Sequence, residues 1–380
     1  MPNELGVATG MVNVSVDGRP VEAPAGSSVM DACDLARVYV PRLCAFPGLE
    51  PLGDCGLCFV TIDGAEARRA CSVQVVEGMA VDTRDDRARG FRRSSMQAIL
   101  GDHPHVCLTC PQRDGCSRDD CMYGNPPETR CCGEFGRCEI AKVAAYVGAL
   151  EQAPAYVHRE LGVIQDHNIR RDLDLCIGCG RCETACDILE EAGSALKLVE
   201  TRTLVAADGE VWEPRSYLGR HVAVPKAEDL RASGCTFCGA CVLVCPTGAL
   251  TAPGAKGAAW LSKRRNRSTL RPAVLPPEDR LAFTRDVVEE LPVCEGVFRV
   301  FDAGGAVLQI SGVMDLRRGV SEALDGPLAG DARTFVFEID PMYTQRESEI
   351  LARHLQEHGS LPRGNDVLGD LFDDEDDDLF

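Results

Sequence analysis

The chain is 380 residues long, enough for two or three domains at about 150 residues each and for a sizeable core. Acidic residues number 59 against 40 basic ones, a formal net charge of -19, so the basic surface that phosphate backbones select is absent and no nucleic-acid partner is expected. The 21 cysteines are odd in number and mostly fall in short-spaced clusters, which points to metal ligands rather than to a disulfide framework. The opening run MPNELGVATG lacks the basic and apolar regions of a secretory signal, so the reducing cytoplasm is the expected compartment. Met11 to Val16 alternates like a strand, Asp17-Gly18 reads as a hairpin turn, Arg19 to Glu22 can return, and Ser27 or Ser28 can cap a helix running through Arg37. A Gly, Pro and Cys-rich loop leads to Cys58, followed by a strand at Phe59 to Ile62, a turn at Asp63-Gly64 and strand-like sequence to Val81. Arg84 to Leu100 is helical in pattern, while the stretch from Gly101 to Cys138 is dense in Cys, Gly and Pro and needs an external staple to be ordered. Cys138 to Leu150 returns to helical period, with Ile140, Val143, Ala144 and Val147 on one stripe. The uncharged run from Ala232 to Ala255 contains Pro246, Pro253 and several cysteines and glycines, so no direct membrane insertion is expected. A basic connector carrying Lys263, Arg264, Arg265, Arg267 and Arg271 precedes a Cys-poor final domain and an acidic tail.

The strongest local signals are CIGCGRCETAC, with Cys176, Cys179, Cys182 and Cys186, and CTFCGACVLVCP, with Cys235, Cys238, Cys241 and Cys245. Both match the C-x2-C-x2-C-x3-C spacing of two-cluster bacterial ferredoxins. That resemblance implies one [4Fe-4S] cluster on Cys176, Cys179, Cys182 and Cys245, and a second on Cys235, Cys238, Cys241 and Cys186, each fourth thiolate crossing between quartets. Gly178, Gly180 and Gly239 fit where backbone must approach a cluster closely. A pair of zinc sites is the bland alternative. Asp187 stands where the ferredoxin pattern has a proline, and a long insertion separates the two quartets.

Nearer the N-terminus, Cys44, Cys55, Cys58 and Cys71 read C-x10-C-x2-C-x12-C. This resembles the [2Fe-2S] ferredoxin-like domain that opens the complex I large iron-sulfur subunit, the iron-only hydrogenases and the diaphorase small subunit of NAD-reducing hydrogenases. The resemblance implies a β-grasp fold and a [2Fe-2S] cluster on these four thiols. HPHVCLTCPQRDGC then supplies His103, Cys107, Cys110 and Cys116, the arrangement by which the same families hold a [4Fe-4S] cluster with one histidine ligand; His105 is the alternative imidazole. Cys121, Cys131, Cys132 and Cys138 depart from the family pattern. They either bind a further [4Fe-4S] cluster or exchange ligands with the preceding site, for example Cys121 in place of His103. Cys33 and Cys294 read as packed thiols.

The expected fold class is α+β. The domains are a β-grasp [2Fe-2S] ferredoxin-like domain over 1-83, a His/Cys-ligated [4Fe-4S] segment over 84-150, and a two-[4Fe-4S] ferredoxin-like domain over 151-260. A basic linker over 261-280, a small α+β C-terminal domain over 281-362 and an acidic tail over 363-380 follow. The C-terminal domain resembles a degenerate GIY-YIG domain, with Gly296-Val297-Phe298 and Gln309-Ile310-Ser311 near its two motifs and Arg317 with Glu347 or Glu349 near its arginine and glutamate. Phe298 and Gln309 replace the two tyrosines of the nuclease chemistry, so a docking role is expected. No G-x-G-x-x-G or P-loop offers a site for NAD or flavin, and no catalytic residue is assigned. The order of motifs implies an electron-transfer subunit with one [2Fe-2S] and three [4Fe-4S] clusters, or four if the extra cysteines bind another. It would lie between a flavin subunit oxidising NAD(P)H and a catalytic redox subunit such as a hydrogenase or formate dehydrogenase. A free-standing polyferredoxin-like carrier and a zinc-bound scaffold are the alternatives.

Overall fold

The computed structural model describes residues 10-113, 116, 121-132, 138-158, 160-189, 195-200, 204-205, 211-212, 220-224, 229-252 and 274-365. The basic run from Lys263 to Arg271 and the acidic tail beyond residue 365 lie outside the described residues. The chain divides into two compact units, Met1–Thr109 with Asn125–Pro276, and Cys110–Gly124 with Pro277–Phe380.

In the first unit, β1 (Met11–Val16) and β2 (Arg19–Pro24) form the expected hairpin, and Asp17 and Gly18 both take positive φ, at 49° and 79°. Those angles suit the right-handed twist of a two-residue turn. The Asp17 carboxylate accepts from the backbone N–H and the hydroxyl of Thr83 at 2.8 and 2.7 Å, tying the turn to the end of the domain. Helix α1 (Val29–Leu35) starts from a capping box between Ser28 and Asp31 and stops two residues short of Arg37, which sits in the left-handed region at φ 56°. Strands β3 (Phe59–Ile62), β4 (Ala67–Arg69) and β5 (Ala80–Asp82) complete a sheet of order β2-β1-β5-β3-β4, with β5 parallel to β1 and the other pairs antiparallel. Val14, Val16, Val29, Cys33, Val60 and Val81 fill the core between α1 and the sheet.

Helix α2 (Asp86–Gly101) is capped by Asp85, whose carboxylate accepts from the N–H groups of Arg87 and Ala88. Its Met96, Ile99 and Leu100 pack with Leu43 and Leu57 of the cysteine loop and with Ile140, Val143 and Ala144. A short α3 (Val106–Thr109) interrupts the segment read as irregular. Helix α4 (Glu139–Tyr146) carries the Ile140 stripe but ends before Leu150, because Gly148 at φ 67° turns the chain out of the helix.

Beyond it, β6 (Val163–Gln165) and β7 (Arg170–Asp172) lead into α5 (Arg181–Leu189). Between the two quartets, β8 (Lys197–Glu200) pairs antiparallel with β11 (Arg220–Ala223), and β9 (Leu204–Val205) with β10 (Val211–Trp212). Helix α6 (Ala240–Val244) and β12 (Leu250–Thr251) close the unit, β12 pairing with β7. Among the described residues no helix is long and apolar enough to cross a membrane.

The second unit contains β13 (Leu281–Ala282), α7 (Arg285–Glu289), β14 (Gly296–Asp302), β15 (Val307–Val313), α8 (Leu316–Leu324), β16 (Ala332–Ile339) and α9 (Tyr343–His358). Its antiparallel sheet has the order β13-β16-β14-β15. One face packs Phe298, Val300 and Phe335 with Leu316 and Val320 of α8, and the other sets Val297 and Ile310 against Ile350 of α9.

Candidate metal centres

Cys44, Cys55 and Cys58 are buried on the loop between α1 and β3, and Cys71 follows β4. Gly48, Gly53 and Gly56 bend that loop with positive φ of 87°, 82° and 64°. The four thiols meet as two pairs, with Sγ–Sγ distances of 3.3 Å for Cys44 and Cys55 and 3.5 Å for Cys58 and Cys71. Two thiolates on one tetrahedral ion sit about 3.8 Å apart when each bond is about 2.3 Å, whereas a disulfide would need about 2.05 Å. Each pair is therefore spaced like two ligands of one metal. Within each pair one thiol donates to the other. The bond to Cys55, reinforced by burial, pushes Cys44 up, while the same bond draws Cys55 down to about 6. Cys58 is likewise raised by its bond to Cys71, and Cys71 falls to about 7. Four soft thiol donors gathered in two close pairs suit an iron pair bridged by sulfide in the chemistry of the donor set.

The two ferredoxin-type quartets lie in one core with Leu173, Leu175, Leu196, Val222 and Leu250. A small cavity is lined by Cys176, Cys179, Cys182 and Cys245 together with Ile177, Leu198 and Pro246. Around Cys182 the thiols within electrostatic reach are Cys179, Cys176, Cys245 and Cys241, and around Cys241 they are Cys238, Cys235, Cys186 and Cys245. The fourth cysteine of each motif is thus placed beside the first three of the other. Burial in apolar surroundings raises Cys182 and Cys241 well above the ordinary thiol range and Cys179 to about 12. Thiols so placed become thiolates only when a cation replaces their protons.

Both loops carry the same local device. The N–H of Gly178 donates to Cys176 Sγ at 3.4 Å and that of Phe237 to Cys235 Sγ at 3.3 Å, each residue in the left-handed region at φ 65° and 55°. Gly180 and Gly239 also have positive φ, 79° and 74°, as close backbone approach requires. Thr247 accepts from Ala249 N–H, donates to Leu175 O at 2.9 Å and lies 3.6 Å from Cys245 Sγ.

Sequence reasoning passed over Arg181, which sits between Cys179 and Cys182 and is 2% exposed. Its Nη1 donates to both carboxylate oxygens of Glu139 at 2.8 and 2.9 Å and to Val244 O at 3.3 Å, and its Nη2 donates to Ala45 O at 2.7 Å. Its guanidinium also lies 5.4 Å from the centre of the Phe46 ring. Ala45, Glu139 and Val244 are the chain neighbours of Cys44, Cys138 and Cys245, so one buried cation ties together three cysteine regions, two through backbone carbonyls and one through the Glu139 carboxylate.

His103 and His105 are buried, and His105 Nδ1 lies 2.8 Å from His103 O. Cys107 lies on α3, and the N–H of Cys131 donates to its Sγ at 3.4 Å. Cys132 takes another direction: a Cβ added at Gly248 would lie 2.5 Å from its Sγ, and it packs against the core that holds Cys176 and Cys182. Cys138 is the N-cap of α4 and packs with the cluster of Leu43 and Cys44. Cys131 and Cys132 thus contact different neighbours, Cys107 and Gly248, while Cys132 and Cys138 both stay within electrostatic reach of Cys131. Cys110, Cys116 and Cys121 fall in the second compact unit. Cys33 is buried among α1 and sheet residues, as expected of a packed thiol, and burial lifts it to about 12.

In the second unit, Phe298 is buried on the α8 face of the sheet and Gln309 donates to Ser311 Oγ at 2.9 Å. Arg317 Nε donates to Leu291 O at 2.8 Å, on that same face. Glu347 lies against Gly312 on the α9 side, and Glu349 is 3.5 Å from Arg346 Nη1. The arginine and the glutamates thus belong to helices on opposite faces of the sheet and do not converge.

Residues 9–86 match the 2Fe-2S iron-sulfur cluster binding domain family, and residues 175–249 match the 4Fe-4S dicluster domain family. Homologues include the NADP-reducing hydrogenase subunit HndD of Solidesulfovibrio fructosivorans, 28% identical over 63% of this chain and 36% of its own length. An NADH-quinone oxidoreductase subunit of Rhizobium meliloti is 29% identical over 63% of this chain and 24% of its own. The NADPH-Fe(3+) oxidoreductase subunit alpha of Geobacter sulfurreducens is 25% identical over the same 63% and 24%. The chain spans well under half the length of these relatives. A crystal structure of an NAD+-reducing [NiFe]-hydrogenase in the H2-reduced state aligns with a TM-score of 0.48 at 21% identity, covering 64% of this chain and 88% of that chain.

Proposed function

We propose that the chain is an iron-sulfur electron-transfer subunit of a multi-subunit oxidoreductase. It would relay single electrons between a flavin subunit that oxidises NAD(P)H and a catalytic subunit such as a hydrogenase or formate dehydrogenase. The observation that carries this reading is the meeting of Cys176, Cys179 and Cys182 with Cys245 around one sulfur-lined cavity. Cys44, Cys55, Cys58 and Cys71 would hold a [2Fe-2S] cluster. Cys176, Cys179, Cys182 and Cys245 would hold one [4Fe-4S] cluster, and Cys235, Cys238, Cys241 and Cys186 a second. When bound, such clusters accept and release one electron at a time with little rearrangement.

The protein's own part is to bury the thiolates, to aim the N–H groups of Gly178 and Phe237 at ligand sulfurs, and to set the Arg181 charge beside them. Donors and cations near a cluster favour its reduced, more negative form and so raise its potential. The names of the relatives support a partner that handles a nicotinamide, and the net charge of -19 argues against nucleic acid. A cytoplasmic location follows from the need for reduced thiols. The second unit would serve as a docking domain, since its nuclease-like side chains do not converge.

Iron, acid-labile sulfide and zinc per chain on anaerobically purified protein test the proposal. One [2Fe-2S] and three [4Fe-4S] clusters predict about 14 irons and negligible zinc. Zinc in place of iron would end the electron-transfer reading. A chain that purifies alone and exchanges electrons freely with soluble donors would point instead to a free-standing carrier.

A further inference from the structure

We propose that Arg92 of α2 sets the potential of the [2Fe-2S] cluster, its buried charge being balanced by the cluster rather than by a carboxylate. This rests on the reading that Cys44, Cys55, Cys58 and Cys71 hold that cluster. Helix α2 turns Ala88, Arg92, Ser95, Met96 and Ile99 inward, a stripe of helical period with a guanidinium in its middle. Five arginines are buried among the described residues, Arg92 at 4% exposure. Four of them face a carboxylate: Arg42 with Asp34 at 2.6 Å, Arg171 with Asp166 at 2.6 Å, Arg181 with Glu139 at 2.8 Å and Arg346 with Glu338 at 2.7 Å. Arg92 is the exception. Its Nε donates to Phe59 O at 2.7 Å and its Nη1 to Thr83 O at 2.9 Å, both neutral acceptors, and its Nη2 has no partner among the described residues. A guanidinium does not shed its proton, so a buried one is costly unless an anion lies near.

The place of the fork identifies that anion. Phe59 follows Cys58 in the chain, so a guanidinium bound to the Phe59 carbonyl lies within about 10 Å of the Cys58 sulfur. Burial lowers the Arg92 pKa, and the Cys58 thiol is among the groups that act to raise it. Four thiolates and two sulfides around two ferric ions carry a net charge of about -2, and an accepted electron makes it more negative still. A unit positive charge about 10 Å away, at an effective dielectric of about 20, favours that electron by about tenfold. Arg42, two residues before Cys44, is the other buried arginine on this side of the domain, and its field is largely cancelled by the two bonds it makes to Asp34. Arg92 is therefore a charge that acts on the cluster through space, and its bond to Phe59 O holds it in place.

The test is a redox titration of the full, cluster-loaded chain that follows the EPR signal of the reduced [2Fe-2S] cluster. In Arg92→Met the midpoint potential of that signal is expected to fall, the reduced-to-oxidised ratio at a fixed potential dropping about tenfold, which is about 59 mV for one electron. Arg92→Lys keeps the charge without the fork and should stay near wild type. A wild-type [2Fe-2S] potential in Arg92→Met, or an equal fall in Arg92→Lys, overturns the proposal. Should Arg92→Met give no loaded chain, Arg92→Gln, whose amide can still donate to a carbonyl, is compared with Arg92→Lys. The glutamine variant must then titrate lower, and equal potentials overturn the proposal. A cluster kept at wild-type potential in Arg92→Lys and lost from both neutral variants supports it, because charge alone then decides. Loss of the [2Fe-2S] signal from all three variants assigns the fork to holding the fold and overturns it. Absence of that signal from the wild-type chain instead removes the reading of the four thiols, so the two failures are distinguishable.

Discussion

Replacing Arg181 by methionine should damage several cysteine regions of this protein at once. The side chain is 1% exposed and faces a Glu139 carboxylate that is itself only 13% exposed. Methionine fills similar space but leaves that carboxylate unpaired and strips donors from Val244 O and Ala45 O. Breaking a buried ion pair from one side costs about 3–5 kcal/mol, most of it the price of the charge left behind. If the network is absent from the transition state for unfolding, the cost appears in full as faster opening, about a hundredfold or more. The assay is the decay of visible cluster absorbance under anaerobic conditions in denaturant, followed as a rate because cluster loss is irreversible. Adding Glu139→Gln removes the stranded charge, so the double variant should decay more slowly than Arg181→Met alone, with a coupling of about 0.5–3 kcal/mol. Arg181→Lys keeps the charge without the fork and should fall between. The midpoint potential of a neighbouring cluster should drop in the methionine variant and return in the lysine variant, a change that loss of packing alone does not produce. Wild-type decay in Arg181→Met, or no rescue by Glu139→Gln, would refute the reasoning.

Gly248→Ala should be costly, because its Cβ would lie 2.5 Å from Cys132 Sγ and 3.4 Å from Leu175 Cδ1. Overpacking of this kind costs about 1–3 kcal/mol, read as a lower melting temperature, and Cys132→Ala in the same chain should recover most of it. An unchanged melting temperature in the single variant contradicts the placement of Cys132. Cys33, lifted by burial to about 12, stays protonated at pH 8 and should resist iodoacetamide until the domain unfolds. Labelling of Cys33 in the native protein at the rate of a free thiol would show that it is not the packed side chain described here.

Local chemistry accounts for what the sequence disclosed. The Asp17-Gly18 turn, the serine cap read at Ser27 or Ser28 and found at Ser28, and the helix read over Arg84 to Leu100 each depend on residues within a few positions of one another, and all appear in the structure. The quartets were legible because three of each four ligands are local and the spacing is restrictive. Arg181 was not legible, although it stands inside CGRC, because its partners Ala45, Glu139 and Val244 are brought to it only by the fold. The different contacts of Cys131 and Cys132 failed to show for a related reason. Spacing along the chain does not say which side of an extended segment faces which neighbour, and the partners Cys107 and Gly248 come from distant parts of the chain.

The clearest lesson about what sets these loops lies at Phe237. Aligning CTFC with CIGC puts Phe237 at the position of Gly178, where a residue free to adopt positive φ is the natural choice. The backbone is nevertheless the same, with φ of 55° against 65° and N–H to sulfur distances of 3.3 against 3.4 Å. The loop geometry is therefore imposed by the need to present three sulfurs and a donor, and the residue accommodates it. A left-handed conformation costs a side-chain-bearing residue about 1–2 kcal/mol. Phe237 recovers that cost by burial, being 9% exposed and packed edge-on against His167 with ring centres 5.8 Å apart. Phe237→Gly relieves the backbone but opens a cavity among Leu173, Leu230 and Cys241, at a cost of about 3–5 kcal/mol for a large aromatic lost from a core. The net expectation is destabilisation of about 1–4 kcal/mol with the cluster's EPR shape retained at low temperature. Cluster-loss rates at or below wild type in Phe237→Gly would mean that strain outweighs packing here.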